Sequence, residues 1–277
     1  MAKNSSIEWC HHTYNPWWGC AKVSPACQHC YAETWAKRVG QPVWGKDAPR
    51  RFFGESHWKD PIRWNAEAAT AGERRRVFCA SMADVFEKRT DLKPWREKLW
   101  EIIIKTPMLD WLLLTKRPQN IEKMAPWHGD WPANIWLGTT VESQKYADER
   151  LPHLLKHRAR VRFISCEPLL GEINLKDWIR PNKRKDLHGI DWIIAGGESG
   201  GAARPMHPDW ARSLRDQAVA NNVAFHFKQW GQWVPSDDLA AQQKGKAMDF
   251  NDTEMTRMSK KLAGRLLDER TWDEFPL

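Results

Sequence analysis

Short apolar runs that recur at an almost regular interval restrict the fold of this chain more than any other feature. They fall at 76–81 (RVFCAS), 110–115 (DWLLLT), 134–138 (NIWLG), 161–166 (VRFISC), 191–195 (DWIIA) and 223–228 (VAFHFK). Successive starts lie about 24 to 34 residues apart, the size of one βα unit. Each run is too short for a helix, rich in Val, Ile, Leu and Phe, and followed by a polar or glycine residue and then a helical pattern. A further strand near 14–18, with its helix at 32–39, would start the series. The segments 93–105 (KPWREKLWEIIIK) and 208–221 (PDWARSLRDQAVAN) open on or near a proline and carry apolar residues at helical spacing. The pattern predicts an α/β fold: a parallel, partial (β/α) barrel of six strands with inserted loops and a C-terminal helical extension. In such folds ligands sit beyond the carboxyl ends of the strands.

The barrel domain is expected over 1–231, with an insertion at about 40–65 rich in Trp, Pro, Arg and Gly, and an exposed basic loop at 177–189. Residues 232–277 form an extension whose helical pattern, 253–267, packs on the barrel. No apolar run approaches the roughly 18 residues that cross a bilayer, and none follows the early lysine, so a cytoplasmic protein without a membrane partner is expected. The formal charge of +8 favours polyanionic partners without choosing among them. Nineteen tryptophans serve either as core packing, the commoner use, or as platforms on which bases stack.

Six cysteines are too few and too uneven for a secreted disulfide framework, since three of them crowd between positions 20 and 30. Cys20-AKVSPA-Cys27-QH-Cys30 lies between the first expected strand and its helix. Three thiolates on a short loop can hold three irons of a [4Fe–4S] cluster and leave the fourth open, whereas electron-transfer clusters use four ligands. The open iron can chelate S-adenosylmethionine (SAM), whose reductive cleavage gives a 5′-deoxyadenosyl radical. Zinc is the competing reading. It prefers four ligands and would recruit Cys10, His11, His12 or His29, but no second half-site follows downstream. Cys79 and Cys166 fall inside strands as buried thiols; Cys10 stays open between a packing role and a fourth ligand.

The segments IEWCHHTYNPWWGC, CQHCYAE, LLLTKRPQN, LGTTVES, ISCEPLLGEI, IIAGGESG and FKQWG, from Ile7 to about Trp233, resemble the phage and bacterial three-cysteine-motif family. That group is radical-SAM-like, and the closing AGRLLDERTWDEFP is similar to its end. The six residues between Cys20 and Cys27 depart from the commoner C-x3-C-x2-C spacing. The resemblance implies a radical-SAM-like barrel, an electron donor such as flavodoxin or ferredoxin, and, for a phage-encoded chain, residence in the host cytoplasm. It also implies that His29 and Tyr31, beside the last cysteine, cover the adenine.

The remaining strand ends supply polar candidates. Ser81, Lys116, Thr139, Thr140, Glu142, Glu167, Gly196, Gly197 and Glu198 are expected to bind the cofactor, and Asp84 and Arg117 the substrate. A guanidinium suits a carboxylate or phosphate through paired hydrogen bonds. Thr139, Thr140 and Glu142 suit ribose hydroxyls, and Glu167 suits either these or the substrate. Gly196 and Gly197 let backbone approach a ligand, although the GGE of similar enzymes follows an early strand and this one a late strand. The leading function is a radical-SAM enzyme that isomerises or functionalises a modified base in phage DNA or another nucleic acid. The alternatives are a radical enzyme on a peptide or small metabolite, and a non-catalytic nucleic-acid-binding module with a structural zinc or Fe–S site.

Overall fold

The computed structural model describes residues 2–179, 189–238 and 245–276. The chain divides into two compact units, residues 1–139 with 152–162, and residues 140–151 with 163–277. Residues 232–277 therefore belong to the second unit, together with strands that the sequence places in the barrel.

The first unit contains β1 (Ala2–Lys3), β2 (His12–Tyr14), α1 (Tyr31–Arg38), α2 (Glu55–Trp58), α3 (Asp60–Ala71), β3 (Arg75–Cys79), α4 (Lys93–Lys105), β4 (Leu109–Thr115), α5 (Ile121–Met124) and β5 (Ile135–Thr140). Strands β2 to β5 pair in parallel and in chain order, while β1 runs antiparallel to β2. Register aligns their carboxyl ends: Tyr14 faces Cys79, Cys79 faces Leu113, and Thr115 faces Thr139. Helix α4 has Pro94 in its first turn and buries Leu99, Trp100, Ile102 and Ile103. Thr106 closes it, donating to the Ile102 carbonyl at 2.7 Å and accepting Trp111 Nε1 at 2.9 Å, which ties the helix end to β4.

The second unit contains most of α6 (Gln144–Leu154) and β6 (Val161–Cys166), then β7 (Trp192–Gly196), α7 (Pro208–Ala220), β8 (Ala224–Gln229), β9 (Trp233–Pro235), β10 (Lys246–Phe250), β11 (Thr253–Arg257) and α8 (Lys260–Ala263). β6, β7 and β8 are parallel. Every residue of β5, β6 and β7 is buried, the pattern of parallel strands covered on both faces. The class is α/β, as the spacing predicts, with seven parallel strands among the described residues instead of six. The strand expected near 14–18 is β2, which lies slightly earlier, at His12–Tyr14, and brings the six apolar runs to seven.

Of the helix expected over 253–267, only the single turn α8 forms. Residues 253–257 pair instead as β11 between β10 and β9. Phe250 faces Thr253 across a two-residue turn in which Asn251 and Asp252 both have positive φ, 49° and 64°, so a tight hairpin overrides the helical periodicity. Beyond α8 the chain lies along β8: Phe227 N donates to the Trp272 carbonyl at 2.9 Å and Glu274 N to the Phe225 carbonyl at 3.2 Å. The open edge of that strand is thereby covered. The basic loop expected at 177–189 lies outside the described residues over 180–188. Ten tryptophans are buried, and Trp35 is the one largely exposed, so their main role is packing.

Candidate functional site

In the first unit the cysteine loop leaves the carboxyl end of β2 and returns as α1. Gly19 has φ of +115°, and a Cβ there would stand 2.4 Å from the Val43 carbonyl oxygen, so the turn into Cys20 admits only glycine. Backbone bonds fasten it: Gly19 N donates to the Met82 carbonyl at 3.0 Å and Gly45 N to the Cys20 carbonyl at 2.9 Å. The 40–65 insertion is thus a brace for the loop. Its Arg50 side chain is fully buried, donates to both oxygens of Glu87 at 2.7 and 3.0 Å, and also donates to the Val43, Gly45 and Ala48 carbonyls. On the other side Lys22 pairs with Glu33 of α1 at 2.9 Å.

Cys27 is buried, Cys20 and Cys30 are half-buried, and none of the three forms a disulfide. Burial pushes the Cys20 thiol up to about 12, against the pull of Arg117. Arg117 Nη1 donates to Cys20 Sγ at 3.6 Å and to Asp84 at 2.8 Å, and Nη2 donates to the Ala21 carbonyl at 2.7 Å. Asp84 also accepts from Thr115 Oγ1 at 2.7 Å, Lys116 N at 3.0 Å and Phe86 N at 3.0 Å. Burial would raise the Asp84 carboxyl; Arg117 and these donors more than offset that and hold it below the usual carboxylate range.

Of the residues expected at the strand ends, the structure brings Cys20, Asp84 and Arg117 into one bonded group, with Lys116 joined to it through its backbone. Tyr31, exposed at the start of α1, donates its hydroxyl to the Ser81 carbonyl at 2.9 Å. His29 is half-buried beside Cys30. Thr139 is buried, and its hydroxyl bonds the Thr115 carbonyl at 2.8 Å within the sheet. Asn15, Arg50, His57 and Glu87 were not anticipated. Asn15 Oδ1 accepts Met82 N at 2.6 Å and its Nδ2 donates to Ser81 Oγ at 3.0 Å, while its carbonyl meets the His57 ring at 2.8 Å. Asn15 lies inside the YNPWWGC motif, which was its available signal; the others carry none. A groove of about 1100 Å³ in the same unit is lined by Lys46, Lys88, Lys93 and Lys123, interspersed with Asp47, Asp91 and Glu97, with Trp100 on its wall.

In the second unit Glu142 is buried and bonded to Arg150 at 2.8 Å, and the same Arg150 nitrogen reaches the Thr140 carbonyl at 2.8 Å. Glu167 pairs with Lys228 at 2.5 Å through one oxygen, while the other is buried with no partner among the described residues. A Cβ on Gly197 would stand 1.9 Å from the Trp230 carbonyl oxygen, so this glycine serves the approach of two backbone segments. Gly196 lies against Glu167 and the Gln229 carbonyl. Glu198 is buried and held by Arg204, whose Nη2 lies 2.6 Å from it.

A [4Fe–4S] cluster needs three soft anionic donors here, and three free thiols on one loop match it in kind and number. Among the described residues no three His, Cys, Asp or Glu side chains are gathered as a metal site. Binding would therefore require the thiols to turn toward a common point. No described helix is long and apolar enough to cross a membrane.

A family model for a protein of unknown function (DUF5131) matches residues 4–276. No curated protein matches the chain. Among solved structures, a mutant of spore photoproduct lyase aligns with 12% identity and a TM-score of 0.47, covering 94% of this chain and 72% of that one.

Proposed function

The chain belongs to the DUF5131 family of proteins of unknown function, and from the site itself we propose that it is a radical-SAM enzyme whose cluster is held by Cys20, Cys27 and Cys30. One observation carries this reading: three free cysteines occupy the loop that follows the first parallel strand, on the side of the sheet where α/β proteins bind ligands. A cluster bound there supplies an electron that cleaves SAM to a 5′-deoxyadenosyl radical. The likeness to the three-cysteine-motif group and its phage members is part of the same proposal.

The surrounding residues prepare the loop. Arg50, Gly19 and Gly45 fix its course, and Arg117 places a cation against the sulfur of Cys20. Tyr31 presents an aromatic ring beside Cys30 while its hydroxyl is anchored on Ser81. In the second unit, the Glu167 oxygen that has no partner among the described residues suits a hydroxyl or ammonium donor.

For the substrate we favour a nucleic acid or nucleotide, supported by the net charge of +8 and the lysine-lined groove. A radical acts on carbon positions that acid–base chemistry does not reach, which suits isomerisation or functionalisation of a base substituent. An electron donor such as flavodoxin or ferredoxin completes the requirement. The same groove also favours a second reading, a non-catalytic nucleic-acid-binding module whose cysteines hold zinc.

The test is anaerobic reconstitution with iron and sulfide, reduction, addition of SAM and detection of 5′-deoxyadenosine, with Cys27→Ala as control. Product from the parent and none from the variant supports the enzyme. A colourless zinc protein that leaves SAM intact supports the binding module. DNA affinity that falls steeply with salt, and falls again in Lys88→Glu, supports the proposed substrate.

A further inference from the structure

Arg117 is about 93% buried, a costly place for a cation, and its guanidinium is committed on both edges. Asp84 neutralises it, and that carboxylate is fixed by Thr115, Lys116 N and Phe86 N. Arg117's own backbone N donates to Thr115 Oγ1 at 2.9 Å, so side chain and main chain are anchored at the same strand end. Such an arginine cannot swing out to a substrate phosphate without stranding Asp84. What it does reach is the cysteine loop: one nitrogen donates to Cys20 Sγ and the other to the carbonyl of the next residue, Ala21. The second acidic neighbour, Glu87, lies 3.9 Å from the guanidinium and is itself bonded to Arg50.

We propose that Arg117 is a positioning residue of the cysteine loop, one that fixes the sulfur of Cys20 and sets the electrostatic field on any group held there, with Asp84 as its counterweight. This rests on the cluster reading for its redox consequence, and on the contacts of Arg117 with Cys20 and Ala21 alone for the placement of the loop. Hydrogen bonds and positive charge near cluster sulfurs stabilise the reduced, more negative state and raise the potential. Removing the cation lowers the potential; removing the anion raises it.

The test compares Arg117→Met and Asp84→Asn in the full chain on two readouts, after thermal melts confirm folding. In cluster-free protein, hydrogen–deuterium exchange of the peptides covering residues 19–27 is expected to rise several-fold in Arg117→Met, which loses both contacts to the loop, and less in Asp84→Asn, which keeps them. In reconstituted protein the midpoint potential is expected to move negative in the first and positive in the second at unchanged iron content. Arg117→Lys, which keeps the charge, should lie between the parent and Arg117→Met, and it replaces Arg117→Met in both comparisons if that variant does not fold. Equal exchange in both variants, or no change in either, would overturn the proposal, because a merely structural pair loosens the loop whichever partner is lost. A parent that takes up no iron would sink the cluster reading, while the exchange order still decides the role of Arg117.

Discussion

Removing Arg50 should cost the protein more than any surface change, and the loss should reach the cysteine loop. Its side chain is fully buried and its partner Glu87 nearly so, with five hydrogen bonds running from one guanidinium. Arg50→Met keeps the volume but leaves Glu87 as a buried charge, with Arg117 at 3.9 Å as its next cation, and strands three carbonyls. Breaking a buried pair from one side costs about 3–5 kcal/mol. At about 2–4 °C per kcal/mol for a chain of this size, the melting temperature should fall by roughly 6–20 °C. Urea unfolding measures the free energy and a thermal scan the melting temperature, both followed by circular dichroism. Because the carbonyls of Val43 and Gly45 flank the turn that accepts Cys20, alkylation of Cys20 and Cys27 should accelerate in parallel. The double variant Arg50→Met, Glu87→Met should recover part of the loss, since two apolar groups strand no charge. A loss below about 1 kcal/mol, the range of an exposed pair, or a double variant as unstable as the sum of the singles, would refute the reasoning.

Gly197→Ala places a methyl on the Trp230 carbonyl and should destabilise the second unit by at least about 1–3 kcal/mol, whereas Gly201→Ala, with open space around it, should be neutral in the same thermal melt. Burial, assisted by Arg76 and Arg75, pushes His11 down to about 4. The unfolded chain, with an ordinary imidazole near 6.5, therefore takes up its proton first, so stability should fall as pH drops from about 6.5 to 4 and hold above that window. Urea midpoints across that range should show the slope in the parent and a flatter one in His11→Gln. Deleting residues 266–277 uncovers the edge of β8 and should produce self-association visible by light scattering; a strictly monomeric product would contradict the covering role.

The repeated βα order was legible because each strand is a run of buried apolar residues and each helix carries its own start signal. Helix α4 begins and ends where the proline and the periodicity place it. The tail was misread because periodicity over 253–267 says nothing about Asn251 and Asp252, whose left-handed turn sends the chain back as a hairpin. At the site, the cysteine spacing announced itself, as did the polar strand ends. The ion pairs did not: Arg117 meets Asp84 across 33 positions and Arg50 meets Glu87 across 37, and no local pattern marks such partners. Without those partners Arg117 looks like a free anion binder; with them it faces the cysteine loop. Gly197 likewise looks like a ligand turn in sequence, yet its missing Cβ is required by Trp230.

The most direct test of the account is the electron paramagnetic resonance spectrum of the anaerobically reconstituted, reduced protein recorded with and without SAM, alongside its iron and sulfide content. A cluster held by only three cysteines leaves one iron open to the cofactor. About four irons per chain, a spectrum that changes when SAM is added, and loss of both in Cys27→Ala are expected. A protein that binds zinc instead of iron, or whose spectrum is indifferent to SAM, would contradict it.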